Sequence, residues 1–217
     1  MNIITMTLGE LGTSCYLVSS DSKNAAMIDP AGNADYIIST LEKNSLTLKM
    51  ILLTHGHFDH TGAVSDLVSQ TGAKVYIHKN DECMLSDTNR NVAYLAPGFV
   101  YKPFSADVLL SDGDKISLDE IEFSVMLTPG HTAGSVMYFA ENCIFSGDTI
   151  FEGSVGRTDF YSGDFAAQRE SLKKIAALDG DYIIYPGHGS STTLKQEKKF
   201  NPYLTVGIRA DFFDGLS

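Results

Sequence analysis

The chain has 217 residues, 43% of them apolar, and a formal net charge of −11. That length and apolar share suit one unit with a substantial core, so we expect a single domain over residues 1–217. The acidic balance argues against a nucleic-acid-binding surface, and no run approaches the ~18 consecutive apolar residues of a membrane helix.

The opening MNIITMTLGE lacks the basic start and long apolar stretch of a signal peptide, so the expected location is the cytoplasm. NIITMTL (2–8), SCYLVSS (14–20) and NAAMIDP (24–30) read as three short strands of an antiparallel meander. ADYIISTLEKN (34–44) has helical spacing through Tyr36, Ile37 and Leu41, and LKMILLT (48–54) reads as a buried strand. GAVSDLVSQTG (62–72) is expected to be a helix closed by Gly72, followed by a strand in AKVYIHK (73–79). Residues 86–106 are irregular and carry Tyr94, Phe99, Tyr101 and Phe104; such a loop is either tacked down by its aromatics or serves as a lid. Strands follow in DKISLDEIEFSVMLTPGH, then a hairpin around Glu141 and Asn142, a helix over 164–178, a strand in YIIYPGH and a last helix near 192–200. Cys15, Cys83 and Cys143 are odd in number and widely spaced, which points to reduced thiols rather than a disulfide framework or a thiolate zinc site.

The strand at 48–54 runs directly into His55-Gly56-His57-Phe58-Asp59-His60. In an extended segment His55 and His57 lie on one side, with Gly56 between them permitting close approach, while Asp59 and His60 fall where a helix begins. Adjacent Asp59 and His60 cannot both join His55 and His57 around one tetrahedral ion without strain, so the stretch implies two metals with partners elsewhere. Those partners stand at other strand ends: His131 in VMLTPGHTAG, Asp148 in CIFSGDTI and His188 in YIIYPGHGSS. Five of the six histidines thereby share one kind of setting, and His78 reads as an ordinary strand histidine.

This series, His55-x-His57-x-Asp59-His60 followed by His131, Asp148 and His188, resembles the metallo-β-lactamase fold superfamily over nearly the whole chain. The resemblance implies an α/β fold, an αβ/βα four-layer sandwich of two mixed sheets flanked by helices. It also implies that His55, His57 and His131 hold a first metal, that Asp59, His60 and His188 hold a second, and that Asp148 bridges them. The cofactors would be two divalent ions, zinc first, with iron or manganese also suited to mixed imidazole and carboxylate donors. Two ions about 3.5 Å apart can share a water, bring its pKa towards neutrality and deliver hydroxide to a polarised carbonyl. Asp29, Thr54 and Thr128 are candidates to orient the imidazoles or to cap turns.

SVGRTDFYSGD (154–164) resembles the glyoxalase-II-like hydrolases and their relatives the persulfide dioxygenases. Asp59 and Arg157 are thus the candidate catalytic residues; Arg157 would meet an anionic substrate group or pair with Asp159 to hold its loop. PGHGSSTTLKQEKKFNPYL (186–204) is similar to the end of single-domain members, where Thr193 and Glu197 would cap and orient the closing helix. Only 13 residues follow Leu204, so we expect no C-terminal helical domain of the kind that grips glutathione in two-domain glyoxalase II. The expected activity is hydrolysis of a small-molecule acyl thioester, S-lactoylglutathione or another, without nucleic-acid or membrane partners. A mononuclear iron persulfide dioxygenase is the alternative. Behind it stand a lactonase, an RNA-processing nuclease and a non-enzymatic, metal-stabilised binding protein, with β-lactamase activity less expected for want of an export signal.

Overall fold

The computed structural model describes residues 1–206; the expectation that no helical domain follows Leu204 falls largely outside the described residues. Strands β1 (Asn2–Leu8), β2 (Thr13–Ser19) and β3 (Asn24–Ile28) form the expected meander, Leu17 lying opposite both Ile4 and Met27. After α1 (Ala34–Lys43), strand β4 (Thr47–Leu52) pairs parallel with β3. A four-residue helix α2 (Phe58–Thr61) and then α3 (Val64–Thr71) lead to β5 (Lys74–His78), also parallel. The expected helix over 62–72 is therefore confined to α3, which closes on Gly72 at φ +68°, a left-handed conformation that a side chain would strain. A long loop with two 3₁₀ turns then returns as β6 (Val108–Leu110), completing a six-stranded mixed sheet.

The second sheet starts with β7 (Lys115–Leu118), β8 (Ile121–Leu127), β9 (Val136–Ala140) and β10 (Cys143–Gly147), antiparallel neighbours in that order. Glu141 turns the β9–β10 hairpin at φ +51°. A small hairpin of β11 (Ile150–Phe151) and β12 (Ser154–Val155) follows, then α4 (Phe165–Ala177), whose first turn is capped by the Asp164 carboxylate accepting from the Ala167 N–H at 3.0 Å. Strand β13 (Ile183–Pro186) lies parallel to β10, and β14 (Thr192–Thr193) forms the sheet edge. Helices α5 (Leu194–Phe200) and α6 (Pro202–Thr205) close the described chain, α5 capped by Thr193 as expected.

Side-chain alternation makes these two sheets into layers. Along β2, Cys15 and Leu17 face a cluster with Ile37 and Leu41 of α1 and Val64 and Leu67 of α3, while Tyr16 and Val18 face the other way. There they meet Phe123, Val125, Tyr138 and Phe145 of the second sheet. The outer face of that sheet buries Ile144 and Ile184 against Leu172 and Ile175 of α4 and Leu194 of α5. Helix, sheet, sheet, helix is the expected αβ/βα sandwich. Its two sheets are stitched at one end: the Ser14 N–H donates to the Gly187 carbonyl at 2.7 Å and the Val136 N–H to the Thr54 carbonyl at 2.9 Å.

Candidate metal centre

That stitched end is where the carboxyl termini of β3, β4, β8, β10 and β13 deliver Asp29, His55, His131, Asp148 and His188. In the parallel pairs the delivery is in register, Ile28 beside Leu52 and Gly147 beside Pro186. Gly56 keeps the His55–His57 segment close to its neighbours, since a Cβ there would lie 2.7 Å from the Met84 Cβ. His57 ends this extended segment, and Asp59 and His60 occupy the first turn of α2, as the sequence suggests.

All seven candidate ligands converge. Donor atoms of His55, His57 and His131 form one group within 4.8 Å of one another, and those of Asp59, His60 and His188 form another. Asp148 stands between the groups: Oδ2 is 3.5 Å from His131 Nε2 and 3.6 Å from His188 Nε2, and Oδ1 is 3.3 Å from His60 Nε2. Asp59 Oδ2 lies 3.3 Å from His188 Nε2 and accepts from the Thr13 hydroxyl at 3.2 Å. Four of the seven buried side-chain polar atoms that lack a hydrogen-bond partner among the described residues belong here: Nε2 of His55, His57 and His60, and Oδ1 of Asp148. Buried polar atoms are rarely left unpaired, so this concentration fits lone pairs reserved for cations.

A hydrogen-bond relay fixes the imidazoles. The Asp29 carboxylate accepts from the Thr54 N–H (2.8 Å), the Thr54 hydroxyl (2.6 Å) and His60 Nδ1 (2.9 Å). With its proton committed to Asp29, Thr54 Oγ1 accepts from His55 Nδ1 at 3.1 Å. His131 Nδ1 donates to the Arg157 carbonyl at 2.7 Å. In His55 and His131 the Nδ1–H is thereby occupied and the lone pair falls on Nε2, which in His131 faces His57 Nδ1 at 2.9 Å, while in His60 the same bond turns Nε2 towards Asp59 and Asp148. Asp29 also falls within a third compact group with His55 and His60, but three donated hydrogen bonds make it their orienter rather than a further ligand. Thr128, the other orienting candidate, meets the Thr149 hydroxyl at 2.9 Å and the Ser135 carbonyl instead.

Burial, reinforced by neighbouring imidazoles, holds His55 well below the usual histidine range and brings His57 down to about 3. Burial opposes charge on His60 too, but Asp59, Asp148 and Asp29 outweigh it and raise that pKa. For Asp148 and Asp59 burial works against ionisation, yet the nearby histidines, His60 foremost, keep both below the ordinary carboxylate range. Neutral His55 and His57 beside ionised Asp59 and Asp148 supply mixed nitrogen and oxygen donors of the kind that zinc, iron and manganese accept, and a cation at His60 would take the place of the proton that its carboxylate neighbours favour.

The metallo-beta-lactamase superfamily model matches residues 8–188. The chain belongs to that superfamily. Hydroxyacylglutathione hydrolase GloC of Haemophilus influenzae is 36% identical over 208 residues, covering 94% of this chain and 98% of the relative. The crystal structure of the BLEG-1 B3 metallo-beta-lactamase is similar at TM-score 0.89 and 38% identity, covering 94% of this chain and 100% of that one. TTHA1623, solved in a di-iron-bound form, is similar at TM-score 0.83 and 35% identity, with coverages of 93% and 100%.

In this superfamily member a cavity of about 350 Å³ opens onto His57, Asp59, His131, Asp148 and His188. Arg157 lines it, but its guanidinium is bound in a two-bonded ion pair to Asp159, both contacts at 2.6 Å, and lies 4.0 Å over the Phe160 ring. Of the two roles the sequence leaves open, the pairing with Asp159 is the one observed. The 86–106 loop wraps α2: the Asn91 carbonyl accepts from the Phe58 N–H at 3.0 Å, and Val92, Ala93 and Tyr101 pack on Phe58. His78 is buried, accepts from the Asn80 N–H at 3.3 Å and belongs to none of the three groups.

One functional residue escapes the sequence reading. Asp81 is fully buried and accepts from the Gly56 N–H (3.0 Å), the Gly134 N–H (2.7 Å) and the Thr132 hydroxyl (2.7 Å), tying the His55–His57 segment to the loop after His131. Its local context, KNDEC, carries no motif, and its partners lie 25 to 53 positions away. Glu197, named in the sequence as an orienter of the last helix, does more: it accepts from the Thr192 hydroxyl, the Asn201 amide and the Gly153 N–H, anchoring the β11–β12 turn near the cavity.

Proposed function

We propose that the chain is a cytoplasmic hydrolase of small-molecule acyl thioesters that works with two divalent metal ions, zinc first and iron second. The observation that carries this reading is Asp148 standing between two compact groups of nitrogen and oxygen donors. His55, His57 and His131 would hold one ion and Asp59, His60 and His188 the other, with Asp148 shared. When bound, such ions supply Lewis acidity for the substrate carbonyl and lower the pKa of a water. The chain's own residues do the positioning: Asp29 and Thr54 aim His55 and His60, the Arg157 carbonyl aims His131, and Thr13 holds Asp59. A thiolate leaves readily, so no separate side-chain acid is required, consistent with a cavity at which Arg157, paired with Asp159, is the one lysine or arginine among the described residues.

The likeness to GloC over almost the full length of both chains supports thioester hydrolysis, and the likeness to a di-iron-bound protein supports two ions. A second reading, β-lactam hydrolysis, is favoured by the likeness to BLEG-1. Metal analysis of protein purified without chelator, combined with turnover of S-lactoylglutathione, an acyl-coenzyme A and a chromogenic cephalosporin, separates the two. We expect two ions per chain and thioester cleavage exceeding cephalosporin cleavage. A single iron with oxygen uptake on glutathione persulfide would refute the hydrolase reading in favour of a dioxygenase.

A further inference from the structure

The walls of the cavity are apolar wherever they are not part of the candidate metal centre. Leu11, Phe58, Val92, Leu95, Phe151 and Phe160 line it, and among the described residues Arg157 is the one lysine or arginine at its wall. Nε and Nη2 of Arg157 are engaged by Asp159, and the guanidinium face is stacked on Phe160. A ligand carboxylate seeking the fork on the Nε and Nη2 edge would have to displace Asp159 from it. Glutathione brings two carboxylates and coenzyme A several phosphates, to a chain of net charge −11.

One further observation points to an apolar ligand, and a second shows that the wall is held in place. Leu11 and Leu95 sit at the mouth 55% and 48% exposed, large aliphatic side chains facing the cavity with much of their surface uncovered. Val92, a lining residue packed with Phe58, Ala93 and Tyr101, holds φ +58°, a conformation that costs a β-branched residue of order 1–3 kcal/mol. Backbone strain persists where the surroundings hold a side chain in one place.

We infer that the cavity takes an uncharged thioester with an apolar acyl chain, and that Leu11, Leu95 and Phe151, rather than Arg157, set that preference. This rests on the thioester hydrolase reading: water adds to the acyl carbon, the carbon–sulfur bond breaks, and a carboxylic acid and a free thiol leave. The inference concerns what lies beyond the reacting carbonyl.

The test uses the full metal-loaded chain and N-acetylcysteamine thioesters with acetyl, butanoyl and hexanoyl chains, alongside S-lactoylglutathione. Full burial is worth about fourfold per methylene, so kcat/KM should rise at least about tenfold from acetyl to hexanoyl, and hexanoyl should exceed S-lactoylglutathione. Binding of two inert thioethers, S-hexyl-N-acetylcysteamine and S-hexylglutathione, reads the cavity without turnover; the uncharged one should bind at least about tenfold tighter. Leu95→Lys adds a cation at the mouth and Asp159→Asn releases Arg157, so each should shift the ratio of affinities towards the glutathione thioether. Turnover with no dependence on chain length, or tighter binding of S-hexylglutathione, overturns the inference and leaves the hydrolase reading standing. Tighter binding of the uncharged thioether without cleavage of any thioester supports the inference about the cavity and removes the hydrolase reading.

Discussion

Asp29→Asn isolates the relay beneath the candidate metal centre. Asparagine keeps the volume and tolerates the φ of +49° found at Asp29, so backbone strain is not introduced. It has one acceptor oxygen where the carboxylate has two, and three donors point at that carboxylate: the Thr54 N–H, the Thr54 hydroxyl and His60 Nδ1. Oδ2 takes two of them, so the less costly amide orientation leaves its oxygen there and turns the NH₂ group against the Thr54 N–H. A hydrogen bond to a charged group is worth about 1.5–3 kcal/mol, and a buried donor left unmade costs about 1–3 kcal/mol. The metal-free variant should therefore be about 2–4 kcal/mol less stable than the parent in urea unfolding. Loss of the carboxylate behind His60, and through Thr54 behind His55, should also weaken metal binding about 10- to 100-fold in a competition titration. A variant within about 0.5 kcal/mol of the parent, binding its metals with unchanged affinity, would refute the relay as the device that orients both histidines.

Other perturbations test other parts of the same structure. Asp81→Ala leaves the Gly56 and Gly134 amides and the Thr132 hydroxyl buried without an acceptor; we expect a loss of about 3 kcal/mol or more, with faster hydrogen exchange at both glycine amides than in the parent. Gly187→Ala would place a Cβ overlapping Asp148 Oδ1 and 2.6 Å from His60 Cε1, so metal content should fall while unfolding shifts by only about 1–3 kcal/mol; a variant that retains full metal content would contradict the packing described here. Burial lifts the Cys15 thiol from 9.0 to about 12. Between those values the unfolded chain has released the proton and the native state keeps it, so this group makes stability fall with rising pH by about 1.4 kcal/mol per unit. Cys15→Ala should show a correspondingly shallower loss between pH 9 and pH 10 in denaturant titrations, and an identical slope would count against the shift.

The strands were legible because their side chains alternate between two buried faces, as in SCYLVSS, where Cys15 and Leu17 go to one core and Tyr16 and Val18 to the other. The ligand candidates were legible for a related reason: chemistry-bearing residues placed at strand ends converge once parallel strands are in register, as Asp148 and His188 do. What was not legible depends on contacts distant in the chain. Nothing local distinguishes Asp81 from the surface acids around it, and its role exists only once β5 brings it beneath the β4 and β8 loops. Arg157 drew notice for its charge, yet its contact with the site runs through its carbonyl, which any residue could supply. Thr54 and Thr128 hold equivalent places before a motif, but only Thr54 meets an imidazole, because Asp29 lies opposite it on β3's end while Thr149 lies opposite Thr128.

The stitching of the two sheets at one end sets an order of assembly. Asp29, His55, His57, Asp59 and His60 all belong to the first sheet and its connections, whereas His131, Asp148 and His188 belong to the second. During synthesis the first set leaves the ribosome well before His188, and parallel pairing of β13 with β10 must wait for α4 between them. A nascent chain halted after β6 carries Asp29, His55, His57, Asp59 and His60 but lacks His131, Asp148 and His188. The candidate ligands come together only when the sheets dock, so binding of an ion that needs donors from both sheets would report on that docking.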